Sequence, residues 1–456
     1  MKKQAIVLIH GVGEQIPMDT LRGFTEAVWT TDPCASTKGA KIWSKPDDIS
    51  KDYELRRLTT NDNVDHKQTD FFEFYWAHML EDTSLSHVGA WLKALLFRRP
   101  SRVPKQLLGI WTLLWILSLG TVIGFAQYKF HVFSETDLPV NYPGILLFLD
   151  ALIVAGISWG LVKIAGDAAR YLHVAPSNIA SRKNIRAAGV ELLQRLHASP
   201  EYDRIIVVGH SLGTMIGYDI LTHLWASYNQ SHLSAGVKDP TLNVKLAALQ
   251  AEANKAEENS FDINKYQAAQ AAYLKELQTN GNGWRVTDFV TLGSPLAHAT
   301  VLMAKDKTEL DEKKDQREFP ACPPINETDR KSGKRQFWFR HPTNEVPIPH
   351  HAAVFAPTRW TNLYFPCRMT LWGDLIGGPV QPVFGKGVRD VRVKTKIWWG
   401  IFSHTFYWKF KNESEKKAAP EPIVELRKAL RLYGVEDSPI EKLKVPDGTK
   451  TENDKA

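Results

Sequence analysis

R-I-I-V-V-G-H-S-L-G-T-M-I-G-Y, residues 204–218, is the stretch of sequence that decides the fold. Its residues 205–208 are all β-branched, which is typical of a short strand buried on both faces. Gly209-His210-Ser211-Leu212-Gly213 follows and fits the pattern G-x-S-x-G. The apolar residues after it recur at helical spacing (Met215, Ile216, Ile220, Leu221, Leu224). The stretch therefore predicts a strand, a sharp turn and a helix, with Ser211 on the turn.

Ser211 is the candidate nucleophile of this stretch. A catalytic serine must stand clear of the backbone, and a strained strand-to-helix turn gives it that exposure. Glycines two residues before and after it leave room where the strand and the helix approach closely. The alternatives are an ordinary Gly-rich turn and a phosphate-binding turn at a helix N-terminus. The strand-turn-helix context favours the nucleophile.

Length and composition limit the class of protein. The 456 residues are enough for one large or two medium domains, and the net charge is +7. The excess of Lys and Arg lies beside apolar segments, which favours anionic lipid over nucleic acid as a partner. Cys34, Cys322 and Cys367 show neither metal-ligand spacing nor a disulfide framework, which suits a reducing compartment. The sequence implies no metal and no organic cofactor, and it does not indicate an oligomeric state.

Two apolar segments predict a transmembrane hairpin. Residues 107–126 carry no charge, and about 20 apolar residues in a helix span the hydrocarbon core of a bilayer. Residues 144–162 form a second apolar segment that contains one acidic residue, Asp150, placed near a membrane interface. Lys and Arg are frequent before the first segment and after the second, whereas the loop between them has only Lys129. This asymmetry predicts a two-span membrane protein with its catalytic domain on the cytoplasmic side. The alternative is a buried helical hairpin in a soluble domain.

The predicted domain organisation places this hairpin inside one domain. Residues 1–100 form its N-terminal part, 101–170 the hairpin insert, 171–435 the remainder, and 436–456 a polar tail. Residues 237–280 are rich in Ala, Glu, Gln, Lys and Leu, which predicts solvent-facing helices inserted after the helix that follows Ser211. A plain helical insert is favoured over a lid above the site.

A second buried strand supplies a resemblance to a known family. Residues 6–9 read I-V-L-I and run into His10-Gly11-Val12. A strand that ends in His-Gly, followed later by a serine turn, resembles the α/β-hydrolase family and its lipase and esterase branch. Residues 286–292 are a further strand, and its ending in Gly293-Ser294-Pro295 is similar to a turn of the lipases.

The resemblance implies both a fold and an oxyanion hole. The fold class is α/β: an α/β-hydrolase fold with a mostly parallel sheet flanked by helices, interrupted by the transmembrane hairpin. In this family two backbone N–H groups stabilise the oxyanion, one after the His-Gly pair and one after the serine. Carried over, these belong to Val12 and Leu212, and His10 has a structural role in holding the loop.

The resemblance also implies that the catalytic acid and base follow the serine in that order. Residues 360–365 are strand-like and precede the Gly-rich segment that holds Asp374, which is the predicted acid, although the spacing is longer than is usual for the family. Asp390 and Asp288 are the reserves, and Asp288 is disfavoured because it lies inside a strand.

His404 is the predicted base. It follows the run 391–399 and is surrounded by aromatic residues, as in lipase-like members of the family. The alternative is a surface histidine in an aromatic loop. His350 and His351 precede Asp374, so the chain order argues against them.

The predicted function is that of a membrane-anchored serine hydrolase. It cleaves carboxylic esters, with lipid esters as the favoured substrate, through a Ser211-His404-Asp374 triad and an acyl-enzyme. The first alternative is an acyltransferase with the same triad. The second is a non-catalytic membrane scaffold on a hydrolase fold.

Overall fold

The computed structural model describes two long parts of the chain. These are residues 3–79, without 13–15, 36–38 and 64–66, and residues 176–432, without 232, 234–243, 259, 330–332, 344, 368–372 and 395–402. Isolated positions between residues 100 and 171 are also described. The polar tail 436–456 lies outside the described residues.

A mostly parallel sheet of eight strands forms the centre of the described structure. Its strand order is β12-β11-β6-β5-β1-β4-β3-β2, in which only β3 runs against its neighbours. Two short antiparallel pairs, β7 with β8 and β9 with β10, lie outside it. The strands are β1 (Lys3–Ile9), β2 (Ile42–Pro46), β3 (Arg56–Thr60), β4 (Thr69–Phe74), β5 (Tyr202–His210), β6 (Val286–Leu292), β7 (Glu327–Thr328), β8 (Arg335–Gln336), β9 (Trp338–Arg340), β10 (Pro347–Pro349), β11 (Arg359–Tyr364) and β12 (Val388–Arg392).

Helices cover both faces of this sheet. They are α1 (Asp19–Thr25), which continues into a π-helical turn (Glu26–Thr30), α2 (Pro176–Ala198), α3 (Leu212–Tyr228), α4 (Val244–Asn254), α5 (Ile263–Thr279), α6 (Ala299–Leu302), α7 (Lys307–Asp315), α8 (Gln381–Phe384), α9 (Glu413–Lys417) and α10 (Glu421–Leu430). Short 3₁₀ turns lie at Ala77–Met79 and Pro295–His298. The predicted mixed α/β architecture with a mostly parallel sheet is confirmed.

The two central strands are buried on both faces, as their β-branched runs predict. Val7 and Val207 pack with α2, α3, α4 and α5 on one face. Leu8 and Val208 pack with α1 and α10 on the other. Because neighbouring side chains of a strand point to opposite faces, the middle of a strand between two layers of helices presents apolar residues on both faces.

The segment 237–280 differs from its prediction. Its described part forms α4 and α5, which pack into the core instead of facing solvent. Gln270 is fully buried, and its side-chain amide donates hydrogen bonds of 2.7 and 3.0 Å to the carbonyls of Phe355 and Thr358. The buried face therefore contains polar side chains that have hydrogen-bond partners. From composition alone, such residues indicate a solvent-exposed face.

The predicted membrane topology is wrong. In the described ranges no helix has both the length and the apolar character needed to cross a bilayer. A span requires about 20 consecutive apolar residues in one helix. The predicted spans 107–126 and 144–162 lie outside the described residues, apart from a few helical positions such as Trp111 and Trp115. The two-span localisation is thus contradicted, and the described residues show no transmembrane hairpin.

A buried ion pair joins the strands at the end of the sheet where β5, β6 and β11 begin. Asp288 accepts hydrogen bonds of 2.8 Å from both Arg204 and Arg359. Arg204 also donates to the carbonyls of Leu430 and Arg431, which fastens the end of α10 to the sheet. Burial by itself raises the pKa of Asp288, but the two guanidinium groups hold this pKa below its ordinary range.

Asp288→Ala is expected to lower the free energy of unfolding by about 3–5 kcal/mol, because it leaves buried Arg charges without their carboxylate. Urea unfolding measures the change. Asp311→Ala is the matched control, since it breaks two surface pairs, with Lys307 and Lys314 on α7, and such a pair contributes about 0–1 kcal/mol. Equal effects of the two substitutions would contradict the expectation.

Candidate active site

Ser211 lies on the sharp turn that its sequence predicts. β5 ends at His210 and α3 begins at Leu212, so Ser211 alone joins strand to helix. Its backbone has φ 53° and ψ −127°, which is a strained conformation for any residue other than glycine. The N–H of Ser211 donates to the carbonyl of Leu292 at 3.0 Å, and its carbonyl accepts from the N–H of Thr214 at 3.0 Å. These bonds hold the strained turn in place.

Close packing explains the two glycines of the G-x-S-x-G pattern. A Cβ atom on Gly209 would lie 2.6 Å from the Cα of Thr214. A Cβ on Gly213 would lie 2.2 Å from the carbonyl oxygen of Ile9. Side chains at either position would push α3 away from β5 and β1, so the pattern is required by the approach of the helix to the sheet.

His10 is buried beneath the loop that follows β1. Its ring stacks on Trp76 with centroids 4.9 Å apart, and its Nδ1–H donates to the carbonyl of Gly11 at 2.8 Å. Its Nε2 accepts the backbone N–H of Trp76 at 3.2 Å, so both ring nitrogens are used. Burial lowers the pKa of His10 to about 4, which keeps the ring neutral. These contacts fit the structural role expected for His10.

The loop at Gly11 lies directly against Ser211. A Cβ atom on Gly11 would be 2.9 Å from the Cβ of Ser211. Val12 lines the same cavity as Ser211, and Leu212 is the first residue of α3. Val12 and Leu212, whose backbone N–H groups the family resemblance assigns to an oxyanion hole, therefore both lie close to Ser211.

Gly11→Ala is expected to lower kcat for ester hydrolysis by about 100-fold, since the added methyl group displaces the loop from Ser211. Gly23→Ala on α1 is the matched control. It adds a methyl group to the same cavity, but this Cβ would meet only the ring of Trp408, at 3.8 Å. Steady-state kinetics with one ester on both variants checks the expectation, which equal activities would refute.

Asp374 and His404 form the hydrogen bond that the predicted triad requires. The Nδ1 of His404 lies 2.8 Å from the Oδ2 of Asp374, and both side chains are buried. The Oδ1 of Asp374 accepts the N–H groups of Ile376 and Gly377 at 2.9 Å. Burial raises the pKa of Asp374, but His404 and the hydrogen bonds from Gly377 and Tyr407 outweigh it and lower this pKa to about 2. Asp374 is therefore a carboxylate at neutral pH.

Glycines allow the acid and the base to meet. Gly293, just after β6, has φ 57°, and a Cβ there would lie 2.9 Å from both the Oδ2 of Asp374 and the Cε1 of His404. A Cβ on Gly377 would lie 2.5 Å from the Cα of Gly293. The Gly-rich segment around Asp374 therefore packs directly on the turn after β6.

Ser211 and His404 line one cavity of about 540 Å³. α1 with the π-helical turn forms one wall, and residues 404–416 contribute the other. Among the described residues, the Nε2 of His404 has no hydrogen-bond partner although it is buried. A buried imidazole with its Nδ1 on a carboxylate and its Nε2 available has the arrangement of a general base.

The reserve acids and the rejected histidines lie in other surroundings. Asp390 accepts hydrogen bonds from Asn362 and from the backbone N–H groups of Val380 and Gln381, so it fastens the start of α8. Asp288 lies in the ion pair near the start of β6. His350 bonds to the carbonyl of Ile325.

Within the described ranges, no group of three His, Cys, Asp or Glu is arranged to hold a metal ion.

Tyr407 is a residue of the site that the sequence reasoning missed. Its hydroxyl donates to the Oδ2 of Asp374 at 2.8 Å and accepts the N–H of Phe365 at 3.3 Å. Burial, followed by the negative charge of Asp374, raises the pKa of Tyr407 well above its ordinary value, so the hydroxyl keeps its proton. Tyr407 lies three residues after the predicted base, His404, and this position is the sequence feature from which it could have been predicted.

Comparisons with known proteins identify no relative. No protein-family model matches this chain, and neither a curated protein nor a solved structure does. The support for a function therefore comes from the arrangement of the residues themselves.

Proposed function

We propose that this chain is a serine hydrolase that cleaves carboxylic esters through an acyl-enzyme. One observation carries the proposal. His404, which is hydrogen-bonded to Asp374, lines the same cavity as Ser211, and Ser211 lies in a strained strand-to-helix turn. A hydroxyl becomes a nucleophile when a base beside it removes its proton, and the base needs an orienting carboxylate.

The positions of the site residues also support the finer fold assignment, the α/β-hydrolase fold. Ser211 follows β5, Gly11 follows β1, Asp374 follows β11 and His404 follows β12. These strands are parallel, so their carboxyl ends lie at one edge of the sheet, where such folds place their sites. The order along the chain is serine, acid, histidine, as in that family.

In the proposed mechanism the Oγ of Ser211 attacks the ester carbonyl carbon and His404 Nε2 takes its proton. The tetrahedral intermediate collapses, the bond to the leaving oxygen breaks, and His404 returns the proton to the alcohol. Water, deprotonated in turn by His404, then attacks the acyl carbon. The bond between this carbon and the Oγ of Ser211 breaks, His404 returns the proton to the Oγ, and the acid is released. Asp374 keeps the proton of His404 on Nδ1 and stabilises the imidazolium in both halves.

The negative oxygen of each tetrahedral intermediate must be stabilised by hydrogen-bond donors. In the proposal these are the N–H groups of Val12 and Leu212, and the positive end of the α3 dipole at Leu212 adds to their effect. Loss of one such donor costs roughly 3–4 kcal/mol of transition-state stabilisation in comparable sites.

A burst experiment tests the proposal. The purified chain is mixed with p-nitrophenyl esters of increasing acyl length, and the release of nitrophenol is followed in the first turnover. An acyl-enzyme predicts a burst of about one nitrophenol for each active site. A parallel reaction with added alcohol separates hydrolysis from acyl transfer, since an acyltransferase forms the new ester in place of the free acid. A chain that gives neither burst nor turnover with any ester would contradict the proposal.

A further inference from the structure

A second histidine lies beside the proposed base. His210 is the residue before Ser211, at the end of β5, and it also lines the cavity. Its ring centroid is 4.9 Å from that of His404 and 4.8 Å from that of Trp408, which it meets edge-on. The proposed mechanism gives this histidine no role.

The hydrogen bond of His210 defines its tautomer. Its Nε2 lies 2.9 Å from the backbone carbonyl oxygen of His404. A carbonyl only accepts, so the Nε2 of His210 carries the proton and donates it. Burial of the ring, followed by the nearby His404, lowers the pKa of His210 to about 3. His210 therefore stays neutral over the range in which esters are assayed, and its N–H remains on Nε2.

This bond fixes the backbone of the base, whereas Asp374 fixes its ring. His404 lies in a turn that the N–H of Phe406 closes onto the carbonyl of Ser403 at 3.0 Å. Asp374 bonds to the Nδ1 of His404 and so sets the rotation of the imidazole. The bond from His210 holds the carbonyl of the same residue. Because His210 and Ser211 are joined by one peptide bond, this anchor connects the base to the nucleophile directly.

We propose that His210 is a positioning residue, whose Nε2–H bond to the carbonyl of His404 fixes the distance between the base and Ser211. The inference rests on the proposed hydrolase function. His210 transfers no proton in the reaction, and its contribution is geometric. A misplacement of about 1 Å between reacting groups lowers the rate by about 100-fold, so a loss of this anchor has a measurable cost.

Three substitutions of His210 distinguish the effect of its hydrogen bond from the effect of its aromatic ring. His210→Phe keeps an aromatic ring against Trp408 but has no donor. His210→Gln places an amide N–H near the position of the Nε2. His210→Asn has a donor that is too short to reach the carbonyl of His404. Each variant is titrated with a fluorophosphonate so that kcat refers to active sites alone, and thermal unfolding reports folding.

We expect the Phe and Asn variants to lose about 10- to 100-fold in kcat with KM nearly unchanged, and the Gln variant to recover most of the rate. A Phe variant with the wild-type kcat per active site would overturn the inference. So would a change confined to KM, which indicates a substrate contact, or a Gln variant as slow as the Phe variant. Should the Phe variant fail to fold, the comparison of Asn with Gln decides, and equal rates overturn the inference. A wild type that neither hydrolyses nor labels contradicts the proposed function instead.

Discussion

Ser211→Ala is expected to lower kcat for ester hydrolysis by a factor on the order of 10⁶, since Ser211 supplies the oxygen that is acylated in the proposed mechanism. The same substitution is expected to abolish labelling by a fluorophosphonate, which reacts with an activated serine and leaves a covalent adduct. Hydrolysis of p-nitrophenyl acetate measures the first effect. Peptide mass analysis of the labelled wild type measures the second and is expected to place the adduct on Ser211.

The folded state is expected to survive this substitution. Alanine keeps the Cβ of Ser211, so the backbone strain at φ 53° is unchanged and no core volume is lost. The bonds that hold the turn are made by the backbone of Ser211, and they remain. Thermal unfolding within a few degrees of the wild type would confirm that lost activity reflects lost chemistry.

Ser294→Ala is the matched control for the serine. Ser294 also lies next to a glycine after a buried strand, but its Oγ is 2.8 Å from the Oγ1 of Thr214 and accepts the N–H of Leu296. It is fully buried and has an ordinary φ of −75°. We expect this variant to keep its label and its activity and to lose about 1 kcal/mol of stability. Activity that survives Ser211→Ala, or a label found on Ser294, would refute the assignment of the nucleophile.

The part of the site closest to the central strands could be predicted from the sequence because local constraints define it. A β-branched run between two helix layers has few alternatives to a buried strand. Gly209 is required by a contact within the strand-turn-helix unit, and Gly213 is required by the close approach of α3 to the end of β1. Local contacts do not define the pairing of Asp374 with His404. This pairing was predicted from the chain order of the family that the sequence resembles. The structure places them 2.8 Å apart.

The remaining contacts depend on the path of loops, which residue patterns do not determine. The hydrogen bonds of Tyr407 to Asp374 and of His210 to His404 join residues far apart in sequence. The composition of residues 237–280 was also misleading at Gln270, whose buried side-chain NH₂ donates to two carbonyls. The prediction of a membrane hairpin relied on hydropathy and on the Lys and Arg asymmetry, and neither says whether a segment forms the long apolar helix that a span requires.

Asp374→Asn is expected to lower kcat by about 10⁴-fold while leaving the fold intact. The amide oxygen can still accept from Ile376 and Gly377, so the loop keeps its two backbone hydrogen bonds. The amide NH₂ then faces the Nδ1 of His404 and favours the tautomer with its proton on Nε2. That tautomer cannot take the proton of Ser211. Active-site titration with steady-state kinetics measures the loss.

Asp390→Asn separates this effect from the general loss of a hydrogen-bonded carboxylate. Asp390 is a half-buried aspartate in β12, and it accepts hydrogen bonds from Asn362, Val380 and Gln381, none of which lines the cavity. Its substitution is expected to cost about 1–3 kcal/mol of stability, because a donor replaces one acceptor oxygen. The kcat of the folded protein should stay near that of the wild type. If Asp390→Asn lost activity and Asp374→Asn kept it, the acid would be Asp390, and the 2.8 Å contact of Asp374 with His404 would be structural only.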